Sequence, residues 1–148
     1  MRDQRLDWDS YFLMIAQAVS LRAACIRKQV GAVLIDADRR IIATGYNGAP
    51  SGEDGCLEGK CPRGRLAYEH VPPELGSFDQ LGSQGFCVAV HAELNALLYA
   101  LRDTKGSTMY ITHQPCPSCR KALRAAGVAR VVWPNCVMQG SDLCDWRW

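Results

Sequence analysis

His91 and Glu93 stand two positions apart in VHAELN (90–95), and Cys116 and Cys119 three apart in QPCPSCR (114–120). Imidazole and thiolate are zinc ligands. A Cys-x-x-Cys pair at the start of a helix sends both sulfurs from one helix end toward one ion. The helix N-terminal dipole also favours the thiolate form that a metal requires. Zinc takes four protein ligands in a structural role, and three plus water in a catalytic one. His91, which opens the preceding helical stretch, supplies the third ligand, so one corner stays open to water and Glu93 is spare. Zinc lowers the pKa of its bound water to about 7, and a carboxylate beside it can take that proton and hand it on. Glu93 is the expected base and later acid of a hydrolysis. A histidine opening a helix is ordinarily a cap or a surface group, and a lone Cys-x-x-Cys can be a redox pair. A closed structural site with a further cysteine would leave the glutamate without a purpose.

These side chains can meet only if the elements that carry them end at one edge. Trp8, Tyr11, Phe12, Ile15 and Val19 recur at helical intervals and predict a first helix running to about Ala24, with this stripe in the core. VGAVLI (30–35) and IIATGY (41–46) read as adjacent buried strands joined by DADRR. HAELNALLYALR (91–102) has helical spacing and TMYIT (108–112) reads as a strand. PSCRKALRAAG (117–127) is a helix with proline at its start and glycine at its end, and RVVW (130–133) is a last strand. The order α-β-β-α-β-α-β predicts an α/β layered domain with helices on the faces of a sheet. Two consecutive helices joined through one strand lie side by side, which would bring the His91 and Cys116 helix starts together. Residues 49–86 have no period and are rich in glycine and proline, too long for a structureless loop unless something organises them.

Composition sets the setting. The chain has 148 residues, 22% of them charged, and a net charge of +2, so nothing demands a nucleic acid or an anionic membrane as partner. No stretch approaches the length of a membrane span, and the charged N-terminus lacks a signal-like apolar region, which predicts a cytoplasmic protein. Eight cysteines in that compartment read as metal ligands or buried apolar groups rather than disulfides.

The pattern H-x-E … P-C-x-x-C is the signature of zinc-dependent nucleobase deaminases. From about Trp8 to Trp133 the chain resembles the deoxycytidylate (dCMP) deaminases of the cytidine deaminase-like superfamily, in RKQVGAVLID, IIATGYNGAPSG, VHAELNALLYA, MYITHQPCPSC and AGVARVVW. The resemblance implies one domain over 1–148, a three-layer α-β-α sandwich with a mixed central sheet. It implies hydrolysis of dCMP to dUMP and ammonia, on a Zn²⁺ held by His91, Cys116 and Cys119 with Glu93 as the catalytic group. It assigns Asn47 to the sugar hydroxyl and Ala92 to the substrate pocket. It further implies a homohexamer regulated by dCTP and dTTP, with Mg²⁺ accompanying the effector nucleotide. An asparagine before glycine at a strand end is otherwise a left-handed turn residue. A phosphate needs cations, for which Arg27 and Lys28 are candidates, or they are solvated surface charges. Some family members carry a second, structural zinc near the irregular segment. Cys25, Cys56, Cys61 and Cys87 could supply it, with His70 able to replace one of them, or they are buried free thiols. Rival readings are deamination of 5-substituted dCMP, of a free base or nucleoside, or of a cytosine or adenine in nucleic acid, and a non-enzymatic zinc module. Cys136, Cys144 and the terminal DWRW carry no assignment beyond aromatic packing on a neighbouring subunit.

Overall fold

A computed structural model describes residues 4–66 and 75–145. Its sheet has five strands in the order β2-β1-β3-β4-β5: β1 Gly31–Ile35, β2 Ile41–Tyr46, β3 Thr108–Ile111, β4 Arg130–Trp133 and β5 Cys136–Gln139. Three α-helices flank it: α1 Trp8–Ser20, α2 Ala92–Leu98 and α3 Pro117–Ala125. β3 and β4 pair in parallel through the α3 crossover, and the other neighbours are antiparallel, so the sheet is mixed as expected.

Side-chain alternation builds the layers. Val33, Ile35, Tyr110 and Val132 point to the face covered by Phe12 and Ala16 of α1. Their neighbours Ala32, Leu34, Met109, Ile111, Val131 and Trp133 point to the opposite face, under Ala92 and Ala96 of α2 and Leu123 of α3. β1 is buried along its whole length because both faces are covered. The result is the three-layer α-β-α sandwich.

Helix α1 starts at Asp7, whose side chain accepts from the Ser10 amide at 2.9 Å and the Ser10 hydroxyl at 2.7 Å. It ends at Ser20, short of Ala24, because the next amides bond three residues back and Ala24 N–H donates to Asn47 O at 2.9 Å. The buried stripe is also narrower than expected. Phe12, Ala16 and Ser20 carry it, whereas Trp8 and Tyr11 are 51% and 44% exposed. At Gly31 a Cβ would meet Ala16 O at 2.1 Å, so the helix backbone rests directly on β1 there, with Phe12, Ala16 and Ser20 facing the sheet. Asp9 then reaches across the sheet, taking two bonds from the Arg130 guanidinium at 2.7 and 2.6 Å and one from Tyr110 Oη at 2.8 Å.

The expected helix over 91–102 stops at Leu98, since Leu101 N–H turns to Ile42 O at 3.1 Å. Strand β5 has no counterpart in the sequence reading. Pro134–Asn135 forms a two-residue turn with Asn135 at φ 64°, which folds Cys136 back onto Trp133. The irregular stretch is organised by backbone carbonyls rather than by regular elements. Arg27 donates to Arg63 O at 3.0 Å and Leu66 O at 2.7 Å, and Arg63 donates to Gly85 O at 3.0 Å. Arg63 N–H meets Phe86 O at 2.9 Å, and Gly48 and Val90 pair at the stretch's base. No described helix is long and apolar enough to cross a membrane.

Candidate active site

His91 is the N-cap of α2 and Cys116 the N-cap of α3, and the two helices pack side by side on one face. Their N-termini therefore share an edge, as the strand-and-helix order predicted. The His91 ring does not cap its own helix. Its Nδ1 instead lies 3.4 Å from Cys116 Sγ and 3.4 Å from Cys119 Sγ. All three donor atoms lie within 4.8 Å of one another, and among the described residues this is the one group of its kind. A tetrahedron with Zn–N and Zn–S bonds of ordinary length has N···S edges of about 3.5 Å, so the set fits Zn²⁺ and leaves the fourth corner without a protein ligand.

The three donors share protons with one another. Cys116 is held down to about 4, first by the hydrogen bond from the Cys119 thiol and then by His91, while the Cys119 N–H also bonds its sulfur at 3.5 Å. Cys119 is pushed up because the neighbouring sulfur needs its proton and burial and Glu93 add to the effect. The Cys116 sulfur raises the pKa of His91. Glu93, the second residue of α2, is 4% exposed, and burial lifts its carboxyl above the ordinary range.

A cavity of ≈ 310 Å³ opens over this cluster and is walled by Lys28, Asn47, Ala92, Glu93 and His113. Its floor is the buried Glu93, and Lys28 and Gln114 are exposed. Asn47 is not a left-handed turn residue. Its side chain is 8% exposed, accepts from Val30 N–H at 2.8 Å and donates to Lys28 O at 2.8 Å, which ties the segment carrying Lys28 to the end of β2. Arg27 also lines the cavity, but its guanidinium is engaged with the Arg63 and Leu66 carbonyls. Cys25, Cys56, Cys61 and Cys87 line the same cavity, whereas His70 lies outside the described residues.

Two wall residues escaped the sequence reading. Phe78, from the irregular stretch, tilts against the His91 ring with centroids 5.0 Å apart. His113 sits between β3 and α3, with Nδ1 2.8 Å from the Thr112 hydroxyl. A polar residue in the loop that opens the metal-bearing helix was the available signal for His113. Nothing local marks Phe78, which comes from a segment without periodicity.

A His/Cys/Cys donor set at two adjacent helix starts, beside a buried carboxylate and under a cavity, defines a zinc site built for hydrolysis. The sequence pattern of the cytidine and deoxycytidylate deaminase zinc-binding region matches residues 6–134, and the chain belongs to that family. It is 50% identical over 132 residues to the deoxycytidylate deaminase of Mycobacterium phage D29, covering 88% of this chain and 97% of that one. It is 38% identical over 131 residues to the deoxycytidylate deaminase of Schizosaccharomyces pombe, covering 87% of this chain but only 37% of the yeast protein. Among solved structures it is similar to dCMP deaminase from the cyanophage S-TIM5 in complex with dCMP and dUMP. The TM-score there is 0.64 at 27% identity, over 88% of this chain and 83% of the other.

Proposed function

We propose that the protein converts dCMP and water to dUMP and ammonia. The observation that carries this reading is a buried Glu93 beside a three-ligand His91, Cys116, Cys119 cluster, in a chain half identical to a phage deoxycytidylate deaminase. His91, Cys116 and Cys119 would hold Zn²⁺, which supplies the Lewis acidity that lets water ionise near neutral pH. Glu93 acts on protons at the floor of the cavity. Its raised pKa makes it a stronger base, so it takes the proton from the attacking water and returns it to the ring nitrogen and the departing amine. Ala92 backs the ring from the start of α2, and Asn47 holds the sugar end while fixing the Lys28 backbone. Lys28 faces the 5′-phosphate at the open side, and Arg27 serves it indirectly by anchoring the 63–66 turn. Homo-oligomeric assembly is supported by the apolar residues on and just after α2, with Leu98 65% and Tyr99 67% exposed. Hexameric state, dCTP and dTTP regulation and a cytoplasmic location rest on the family resemblance.

An ammonia-release assay tests the reading across dCMP, dCTP, CMP, deoxycytidine and 5-substituted dCMP. The expected order puts dCMP first in kcat/KM, with deoxycytidine poorer by about 10² or more, the value of a charge-assisted phosphate contact. Equal rates for dCMP and deoxycytidine would remove the phosphate from the recognition scheme, and absence of ammonia from every substrate would remove the enzyme.

We also infer a structural Zn²⁺ at Cys25, Cys56, Cys61 and Cys87. The four cysteines line one cavity, and their thiols interact electrostatically, Cys56 with Cys25 and Cys61, and Cys87 with Cys61 and Cys25. Burial pushes the Cys87 thiol up to about 11, so a thiolate there would need a cation beside it. Gly64 closes over the cluster, since a Cβ there would meet Cys56 Sγ at 2.4 Å. Metal analysis should find two zinc ions per chain, falling to one in Cys56→Ser with a lower Tm. A single ion in the unsubstituted protein removes this site.

A further inference from the structure

We infer that His113 is a substrate-contacting residue, its Nε2–H donating to the 5′-phosphate of the nucleotide beside Lys28. This rests on the dCMP reading above and adds a second phosphate donor to it.

The orientation of the ring follows from a chain of hydrogen bonds. Gly31 N–H donates to Thr112 Oγ1 at 3.1 Å, and Thr112 N–H donates to Gly31 O at 3.0 Å, so the hydroxyl is held on the first residue of β1. That oxygen accepts one proton and has its own to give. Its other neighbour is His113 Nδ1 at 2.8 Å. With Thr112 donating to Nδ1, the ring proton sits on Nε2. Nδ1 and Nε2 lie on opposite edges of an imidazole. Tying the first to Thr112 leaves the second on the free edge of a ring that forms part of the cavity wall, with no hydrogen-bond partner of its own among the described residues. Burial and the Lys28 ammonium hold the ring below its ordinary pKa, so it is a neutral donor at neutral pH.

Position along the cavity selects the substrate group. Glu93 is buried at the floor, His113 is half-buried, and Lys28 and Gln114 are exposed. The reacting ring must reach Glu93 and the His91, Cys116, Cys119 cluster, so the charged end of the nucleotide stays toward the exposed side. A phosphate needs several donors at once, and an ammonium paired with a fixed neutral N–H supplies charge and direction together. A sugar hydroxyl or a base carbonyl would have no use for the adjoining cation. Sequence spacing hides this role, because a histidine three residues before the first zinc cysteine passes for loop polarity.

The test compares kcat/KM for dCMP with that for deoxycytidine, the same base and sugar without phosphate. His113→Phe should lower the dCMP-to-deoxycytidine ratio about tenfold or more, carried by KM for dCMP. His113→Gln, whose amide can replace Nε2–H, should restore most of it. Zinc content and near-ultraviolet circular dichroism check that each variant is folded. Should His113→Phe fail that check, the isosteric pair His113→Gln and His113→Glu makes the same comparison, with glutamate setting a negative charge against the phosphate and depressing the ratio further than tenfold. An unchanged ratio in these variants overturns the assignment, as does a loss shared equally by both substrates. If the unsubstituted protein itself fails to prefer dCMP, the phosphate reading falls first; if it prefers dCMP and the variants keep that preference, only the His113 assignment falls.

Discussion

Glu93→Gln is expected to lower kcat by about 10³- to 10⁴-fold while zinc content stays at the level of the unsubstituted protein. The two side chains have nearly the same volume, so the floor of the cavity keeps its shape. The amide cannot take a proton at any relevant pH, so both transfers, from water and to the leaving amine, lose their carrier. Zinc content should hold because Glu93 is not one of the three donors gathered within 4.8 Å. A neutral amide also removes the cost of a buried carboxylate, whose pKa is raised by burial, so stability should hold or rise. The measurement pairs steady-state ammonia release with metal analysis on the same sample. Turnover that survives the substitution shows that Glu93 is not the proton carrier. Zinc lost together with turnover makes it a structural partner of the metal instead.

Gly45→Val should damage stability and turnover together, because it disturbs the helix that carries His91 and Glu93. Helix α2 rests on β2 at this glycine, where a Cβ would stand 2.2 Å from Ala92 O and 2.6 Å from Ala96 N. Both are backbone atoms, so no rotamer change relieves the clash and the helix itself must lift. His91 and Glu93 ride on its first turn. Overpacking costs on the order of 1–3 kcal/mol of stability, and a displacement of about 1 Å at the reacting groups costs about 10²-fold in rate. Urea unfolding together with the ammonia assay would register both effects. Gly106→Val provides the contrast. That position has positive φ but open space around it, so its penalty comes from the backbone alone and lies away from the site. A Gly45→Val protein with ordinary stability and turnover would mean that α2 is not seated where the contacts put it.

Much of the site could be read before any coordinates. Short β-branched runs and helical spacing placed β1, β2, β3, α3 and β4 to within two residues. Errors gathered where a tertiary contact overrode a local signal. Leu98 and Leu101 continue the helical spacing of α2, yet the chain leaves the helix to bond Ile42 O. Trp8 and Tyr11 extend the α1 stripe, yet they face solvent while Phe12, Ala16 and Ser20 meet the sheet. The bridge that the Asn47 amide makes between Val30 and Lys28 has no local signal.

The sequence by itself determined the chemistry: the types and spacing of His91, Glu93, Cys116 and Cys119 specify a zinc-bearing hydrolytic centre, since ligand hardness and helical pitch are local properties. Tertiary structure alone decided what surrounds that centre. Arg27 and Lys28 are neighbours in the chain with the same charge, and only the fold turns one toward the 63–66 carbonyls and leaves the other on the cavity wall. Likewise Phe78 against His91, and the Gly31–Thr112–His113 relay, join segments too far apart in sequence for any periodicity to register. Such contacts depend on how layers stack and where loops close, quantities that are sums over the whole chain.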